Sequence, residues 1–198
     1  MALDGKVALI TGGVKNLGAE SARELAGIGA RLALHYNSES SKASATSLEA
    51  ELREKYPDRK SVLNDFGKID IVVNTVGKVL KKPITDISEE DYDSMFAINS
   101  KAAFFILKAA ATHVSDDGKI ITIVTALLGA FTGFYTSYAG SNLGKHQWST
   151  LRVFHKANGM GNRLTMVQDI APIIRFLCTA GTWIAGQTIF ANGGYTTR

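Results

Sequence analysis

The sequence predicts an α/β protein, a doubly wound parallel sheet covered by helices, forming a single domain over residues 1–198. Three observations carry this expectation. Short β-branched, apolar runs alternate with helical stretches along the chain, the pattern of parallel strands joined by right-handed crossovers. The first such run ends in a glycine-rich turn that opens directly into a helix. Finally, the polar groups at Thr11 to Gly18, Tyr36 to Ser38, Asn74 and Thr125 all fall at the carboxyl ends of expected strands, where open α/β sheets collect their ligands.

In order, Lys6-Val7-Ala8-Leu9-Ile10-Thr11 reads as a buried strand and Ala19 to Ala26 as the helix after it. Ala30 to Tyr36 is a second strand, and Ser38 to Lys55 a helix closed by Tyr56-Pro57. Asp70 to Asn74 is a third strand, again ending in a polar residue and followed by Gly77. Ser88-Glu89-Glu90-Asp91 has the form of a capping box with acids in the first turn, and opens a long helix through Ala111. Lys119 to Val124 is the fourth strand, a helix begins near Ser137, another spans Val167 to Cys178, and Gln187 to Ala191 makes a last short strand.

The net charge of +4 is mild, and its basic residues are interleaved with acids, as in Glu51-Leu52-Arg53-Glu54-Lys55. Lys78 to Lys82 holds three lysines without aromatic neighbours and reads as a solvated loop, so no nucleic-acid partner is expected. The one cysteine, Cys178, excludes an internal disulfide and fits a reducing compartment; its apolar surroundings make it a buried structural thiol. The amino terminus lacks the pattern of a secretory signal. The longest apolar run, Ala102 to Leu107, is too short to cross a bilayer. A soluble, cytoplasmic protein with no membrane partner is the expectation.

The bend at Gly12-Gly13-Val14-Lys15-Asn16-Leu17-Gly18 is the most informative feature. Strand, glycine turn and helix together aim free backbone N–H groups and the positive end of a helix dipole at one spot, which suits a diphosphate. Glycines let the phosphate approach the backbone. Asn16 stands where a third glycine would be expected, and asparagine tolerates a left-handed backbone. Further along, the hydroxyl of Thr125 at a strand end and the phenol of Tyr138 on the following helix can both hydrogen-bond one substrate oxygen. A free phenol titrates near pH ~10, so it needs a nearby cation to work near neutrality. From spacing alone, Tyr135 and Tyr138 also read as half-buried aromatics.

These motifs resemble those of the short-chain dehydrogenase/reductase family, especially members similar to 3-oxoacyl-carrier-protein reductases. Thr11-Gly12-Gly13-Val14-Lys15-Asn16-Leu17-Gly18 resembles the family's T-G-x-x-x-G-x-G loop. Asn74-Thr75-Val76-Gly77 resembles its N-N-A-G motif, keeping the first Asn and the Gly. Asn99 is similar to the Asn that supports a catalytic water chain, Thr125 stands at the catalytic Ser, and Tyr138-Ala139-Gly140-Ser141 matches the opening of Tyr-x-x-x-Lys. Gly186-Gln187-Thr188-Ile189 through Gly193-Gly194 resembles the closing segment. The resemblance implies a Rossmann-type sheet and a carbonyl reductase acting on a small-molecule ketone, with Tyr138 giving the proton, Thr125 holding the oxyanion and Asn99 ordering the relay. It implies a cofactor bed of Gly12, Lys15, Asn16, Leu17, Gly18, Asn37, Ser38, Asn74 and Gly77, and a homo-oligomer. Family members that prefer NAD carry an acid at the end of the second strand. His35-Tyr36-Asn37-Ser38 has none, and Lys15 can supply charge, so NADP(H) is the expected cofactor.

The chain also departs from the family. Asn142 stands where the family lysine would follow Tyr138, with Lys145 the nearest substitute, three residues and ~4.5 Å further along a helix. Between Pro57 and Asp65 the family's intervening strand and most of a helix have no counterpart. Between Ser141 and Phe154 the run resembles nothing in the family, where the rest of the catalytic helix and a strand belong; that helix is part of the family's common dimer contact. The expectation is a sheet lacking two of the family's strands, with the last strand left without its partner. A shortened isoform, a faulty gene model and omitted segments all fit this pattern, although the run after Ser141 argues against simple omission. Two functions follow from the sequence: an NADPH-dependent ketone reductase, or a nucleotide-binding remnant without turnover.

Overall fold

The structure is a computed structural model that describes residues 1–57, 67–128, 133–142 and 165–194. Four strands, Val7–Thr11 (β1), Arg31–His35 (β2), Ile69–Asn74 (β3) and Val114–Thr122 (β4), pair in parallel in the order β2-β1-β3-β4. The helices are Asn16–Gly27 (α1), Lys42–Lys55 (α2), Glu89–Phe96 (α3), Ala103–His113 (α4), Thr136–Asn142 (α5) and Val167–Cys178 (α6). The described residues gather into two compact units. One takes Met1–Thr75, Ala109–Thr122 and Met166–Gln187, and holds the whole sheet with α1, α2 and α6. The other takes Val76–Lys108, Ile123–Thr165 and Thr188–Arg198, and holds α3 and α5.

In the first unit the central strands β1 and β3 are buried on both faces, through Val7, Ala8, Ile10, Ile71, Val72 and Val73, as parallel strands covered by helices must be. α1 turns Ala19, Ala22, Leu25 and Ala26 inward, an apolar stripe at helical spacing. α6 presents Ala171, Ile174 and Cys178 and packs against α1, with Arg175 Nη1 3.1 Å from Glu24 Oε2 on the rim. Burial pushes the Cys178 thiol up to about 12, so it stays neutral and packs as a small apolar group, as the sequence led us to expect. The sequence reverses direction of growth between β1, which leads outward to β2, and its other neighbour β3. Such a reversal opens a crevice at the carboxyl ends of the two strands.

Asp70 anchors the opposite end of the sheet. Its buried carboxylate accepts from Val7 N–H at 2.9 Å and from Lys6 and Lys68 Nζ at 3.2 Å each. Burial alone would raise its pKa, but the Val7 N–H and the two ammonium groups outweigh that effect and hold it below the ordinary value.

The second unit carries the expected capping box: Ser88 Oγ accepts from Asp91 N–H and the Asp91 carboxylate accepts from Ser88 N–H. Lys82 Nζ reaches the same carboxylate at 2.6 Å. The long helix expected from Ser88 is α3 followed by a π-helical stretch, Ala97–Ala102, and then α4 to His113. Boundaries also shift: α1 begins at Asn16 rather than Ala19, α2 at Lys42 rather than Ser38, and β4 runs from Val114 to Thr122 rather than from Lys119 to Val124.

The expected last strand, Gln187 to Ala191, is not formed. The segment is irregular, and Ile189 and Phe190 are 44% and 40% exposed. A short segment becomes a strand only when a neighbouring strand takes up its N–H and C=O groups, and composition does not reveal whether that neighbour exists. The runs in which the family's missing strands were expected, between Pro57 and Asp65 and between Ser141 and Phe154, fall within 58–66 and 143–164 but for Asn142, outside the described residues. No helix among the described residues is long and apolar enough to cross a membrane.

Candidate functional site

The bend after β1 is shaped by contacts that leave no room for side chains. A Cβ on Gly18 would meet Gly12 O at 2.2 Å and Gly13 Cα at 2.8 Å; one on Gly13 would meet Ile10 O at 2.7 Å. Gly12 has φ +70° and Asn16 φ +47°, so the bend turns left-handed twice. Asparagine is among the few residues other than glycine that enter this region readily, which explains the Gly-to-Asn exchange read in the sequence. The first turn of α1 carries no acid, and Lys15 at its N-cap makes no side-chain cap. Backbone donors at the start of a 12-residue helix thus lie beside two close-packed glycines, an arrangement suited to an anion.

Lys15 and Asn16 are exposed, Leu17 is half-buried and Gly18 is buried. Lys15 Nζ lies 3.4 Å from Ser40 O, which brings the ammonium to the loop after β2. In that loop the Ser38 hydroxyl is 2.9 Å from Ser40 Oγ and 3.1 Å from Ser41 Oγ. Asn37 and Ser38 are exposed, and no acid stands between His35 and Ser38. Three hydroxyls and a lysine, with the Glu39 carboxylate of the same loop paired to Lys42 Nζ at 2.9 Å, make this loop hospitable to a second anion.

Asn74 is fully buried and sits in register between Thr11 and Thr122. Its Oδ1 accepts from Thr11 Oγ1 at 2.8 Å and its Nδ2 donates to Thr122 Oγ1 at 3.1 Å. Asn74 therefore ties the carboxyl ends of β1, β3 and β4 into one row. The adjacent Thr75, which the sequence reading passed over, donates from N–H and Oγ1 to Thr11 O, at 3.1 and 2.8 Å.

In the second unit, Asn99 lies on the π-helical stretch and is fully buried. Its Oδ1 accepts from Lys78 N–H at 2.9 Å, and its Nδ2 donates to Lys78 O and to Ser141 Oγ, both at 2.9 Å. Gly77 is exposed, and a Cβ there would make an ordinary 3.5 Å contact with Asn99 Oδ1. A π-turn displaces one residue from the helical ladder and often marks a functional position; here that residue set includes Asn99. Ser141 donates in turn to Tyr138 O at 2.9 Å, and Ser100 Oγ donates to Ser141 O. Ser141 was not singled out from sequence; its place three residues after Tyr138, facing the serine and asparagine of another helix, has no signature in a single chain.

Tyr138 is half-buried on α5, its ring 6.2 Å from that of Tyr135. Thr125 follows β4, and its Oγ1 accepts from Leu127 N–H at 3.2 Å at the start of a single 3-10 turn, Ala126–Leu128, against which α5 packs. Asn142 is buried and donates from Nδ2 to Tyr138 O at 2.8 Å. Lys145 lies outside the described residues. The structure thus brings Gly12, Asn16, Leu17 and Gly18 together at one bend with Lys15 reaching the Ser38 loop. In the other unit Asn99 and Tyr138 are linked through Ser141, and Asn99 also binds the backbone of Lys78, the residue after Gly77. Among the described residues no group of His, Cys, Asp and Glu is arranged to hold a metal.

A family model described as short chain dehydrogenase matches residues 6–153. The hydroxynaphthalene reductase-like protein Arp2 of Metarhizium brunneum is 34% identical over 188 residues, which covers 86% of this chain and 68% of that protein. The crystal structure of a putative dehydrogenase from Burkholderia cenocepacia with bound NADP superposes with a TM-score of 0.85 at 40% identity, covering 100% of this chain and 96% of that one. A short-chain dehydrogenase from Oenococcus oeni PSU-1 gives a TM-score of 0.73 at 44% identity, over 99% and 98% of the two chains. The parallel sheet described above is the Rossmann-type sheet of these structures.

Proposed function

This chain belongs to the short-chain dehydrogenase family, and on that premise we propose that it binds NADP(H) at the bend between β1 and α1 and reduces a ketone to an alcohol. One observation carries the cofactor reading: Gly18 packs so closely on Gly12 and Gly13 that no side chain fits between them, which sets the uncapped start of α1 and its backbone donors directly against the glycine turn. The residues fit a dinucleotide carrying a 2′-phosphate. Lys15 and the hydroxyls of Ser38, Ser40 and Ser41 converge on the loop where a carboxylate would otherwise favour free ribose hydroxyls. The NADP found with the Burkholderia cenocepacia protein and the reductase name of the Metarhizium brunneum relative support the same assignment.

When bound, NADPH supplies the hydride. Tyr138 donates its phenolic proton to the carbonyl oxygen, and the Thr125 hydroxyl hydrogen-bonds the same oxygen as negative charge develops there. Asn99 orders the backbone at Lys78 and, through Ser141, the helix that carries Tyr138.

A second reading, a cofactor-binding remnant without turnover, is favoured by Asn142. A buried amide bonded to its own helix gives Tyr138 none of the charge that a lysine would. Fluorescence titration with NADPH, followed by ketone-dependent NADPH oxidation, separates the readings. Saturable binding and a turnover abolished by Tyr138→Phe establish the enzyme. Binding without turnover establishes the remnant, and no binding removes both.

A further inference from the structure

Thr75 lies at the carboxyl end of β3, beside the strand from which the bend departs, and makes two donations to one acceptor. Its N–H reaches Thr11 O at 3.1 Å and its Oγ1 reaches the same oxygen at 2.8 Å; Oγ1 also lies 3.4 Å from Gly12 O. From these contacts we propose that Thr75 is a positioning residue for the cofactor's diphosphate, an inference that rests on the NADP(H) reading above.

In a trans peptide the carbonyl of one residue and the N–H of the next point in opposite directions. Two donors on Thr11 O therefore fix the plane of the Thr11–Gly12 peptide, and with it the direction of Gly12 N–H. Gly12 would otherwise turn freely: at φ +70° and without a side chain, its backbone has few intrinsic restraints. The same hydroxyl engages carbonyl oxygens, whose partial negative charge would repel a phosphate if they swung toward it. Thr75 thus prepares an anion site by immobilising its acceptors, without touching the anion itself.

Neighbouring contacts show why this duty falls to Thr75. Asn74, the previous residue, is committed to Thr11 Oγ1 and Thr122 Oγ1 on the row below. Asn74 therefore fixes the strands, while Thr75 fixes the first peptide beyond the strand. Its side chain is half-buried and carries a hydroxyl bonded to the Thr11 carbonyl, with the Gly12 carbonyl 3.4 Å away.

The test compares Thr75→Val, which keeps shape and backbone bond but removes the hydroxyl, with Thr75→Ser, which restores it. NADPH affinity is measured by fluorescence titration, and the affinity of adenosine 2′-monophosphate, which lacks the diphosphate, by displacement or calorimetry. Thr75→Val weakens NADPH binding about three- to tenfold, the weight of one hydrogen bond. Thr75→Ser stays close to wild type, and adenosine 2′-monophosphate binds all three proteins alike. Equal NADPH affinity in wild type and Thr75→Val overturns the proposal. So does an equal loss for both ligands, which indicates general damage to the fold. Wild-type protein that fails to bind NADPH overturns the cofactor reading itself, and the role of Thr75 with it.

Discussion

Asn142 Nδ2 donates to Tyr138 O at 2.8 Å, so the side chain one turn beyond the candidate proton donor is spent on its own helix. A neutral amide held in this way supplies no cation to the phenol. Asn142→Lys introduces a cation at a position from which it can favour the ionised phenol, and general acid–base assistance of this kind is worth about 10²–10⁴-fold. Ketone-dependent NADPH oxidation by Asn142→Lys should exceed that of the wild type by at least about tenfold, with the pH midpoint of turnover displaced downward. An Asn142→Lys protein that binds NADPH yet turns over no faster would show that the missing lysine is not what limits this chain.

Gly18→Ala tests the bend itself. The new Cβ would stand 2.2 Å from Gly12 O and 2.8 Å from Gly13 Cα, both backbone atoms that no rotamer change can move aside. The bend must open, at a cost of about 1–3 kcal/mol. NADPH affinity should fall at least about fivefold by fluorescence titration. Gly133→Ala, where a Cβ meets nothing within 4 Å, serves as the control and should bind normally.

The first half of the chain was the more legible in sequence, and the reason is local. β1, β3 and the turn after β1 are specified by apolar runs and glycines within a dozen residues, and the left-handed Asn16 was deducible from its place among glycines. The failure at Gln187 to Ala191 has the opposite cause, because a strand depends on a distant partner and the composition of the segment cannot supply one. Site residues divide in the same way. Asn74 and Asn99 were found through motifs, and the structure shows what their side chains bond: Thr11 and Thr122 for Asn74, Lys78 and Ser141 for Asn99. Thr75 and Ser141, which hold the bend and α5 in place, act through backbone carbonyls. Such contacts impose only a hydroxyl at one point in space, and a single sequence does not mark that requirement.

Lys15→Ala should discriminate between cofactors. The Lys15 ammonium lies 3.4 Å from Ser40 O, in the loop that carries the Ser38 and Ser41 hydroxyls and where the Glu39 carboxylate is paired with Lys42 Nζ at 2.9 Å. A charge-assisted bond to a 2′-phosphate is worth about 1.5–3 kcal/mol, so NADPH affinity should drop roughly 10- to 100-fold while NADH affinity changes little. The salt dependence of NADPH binding should weaken in parallel, because the lost contact is ionic. Equal losses for NADPH and NADH would place Lys15 elsewhere than at the phosphate.

Asp70 should govern the acid limb of stability. Although burial opposes ionisation, the Val7 N–H and the ammonium groups of Lys6 and Lys68 hold the folded pKa below the ordinary value of 3.8. The folded state therefore binds fewer protons than the unfolded chain across the acid range. The resulting stabilisation is fully present above the ordinary carboxylate pKa and is lost as pH falls through the lower folded value. Asp70→Asn leaves Lys6 and Lys68 without their shared carboxylate and should cost about 1–3 kcal/mol at neutral pH. Thermal unfolding followed from pH 7 downward should then show the wild type losing its advantage only in acid, below about pH 4, where the two curves converge. Parallel curves at every pH would mean that Asp70 contributes shape rather than charge, and the ion cluster at the start of β3 would lose its claim on stability.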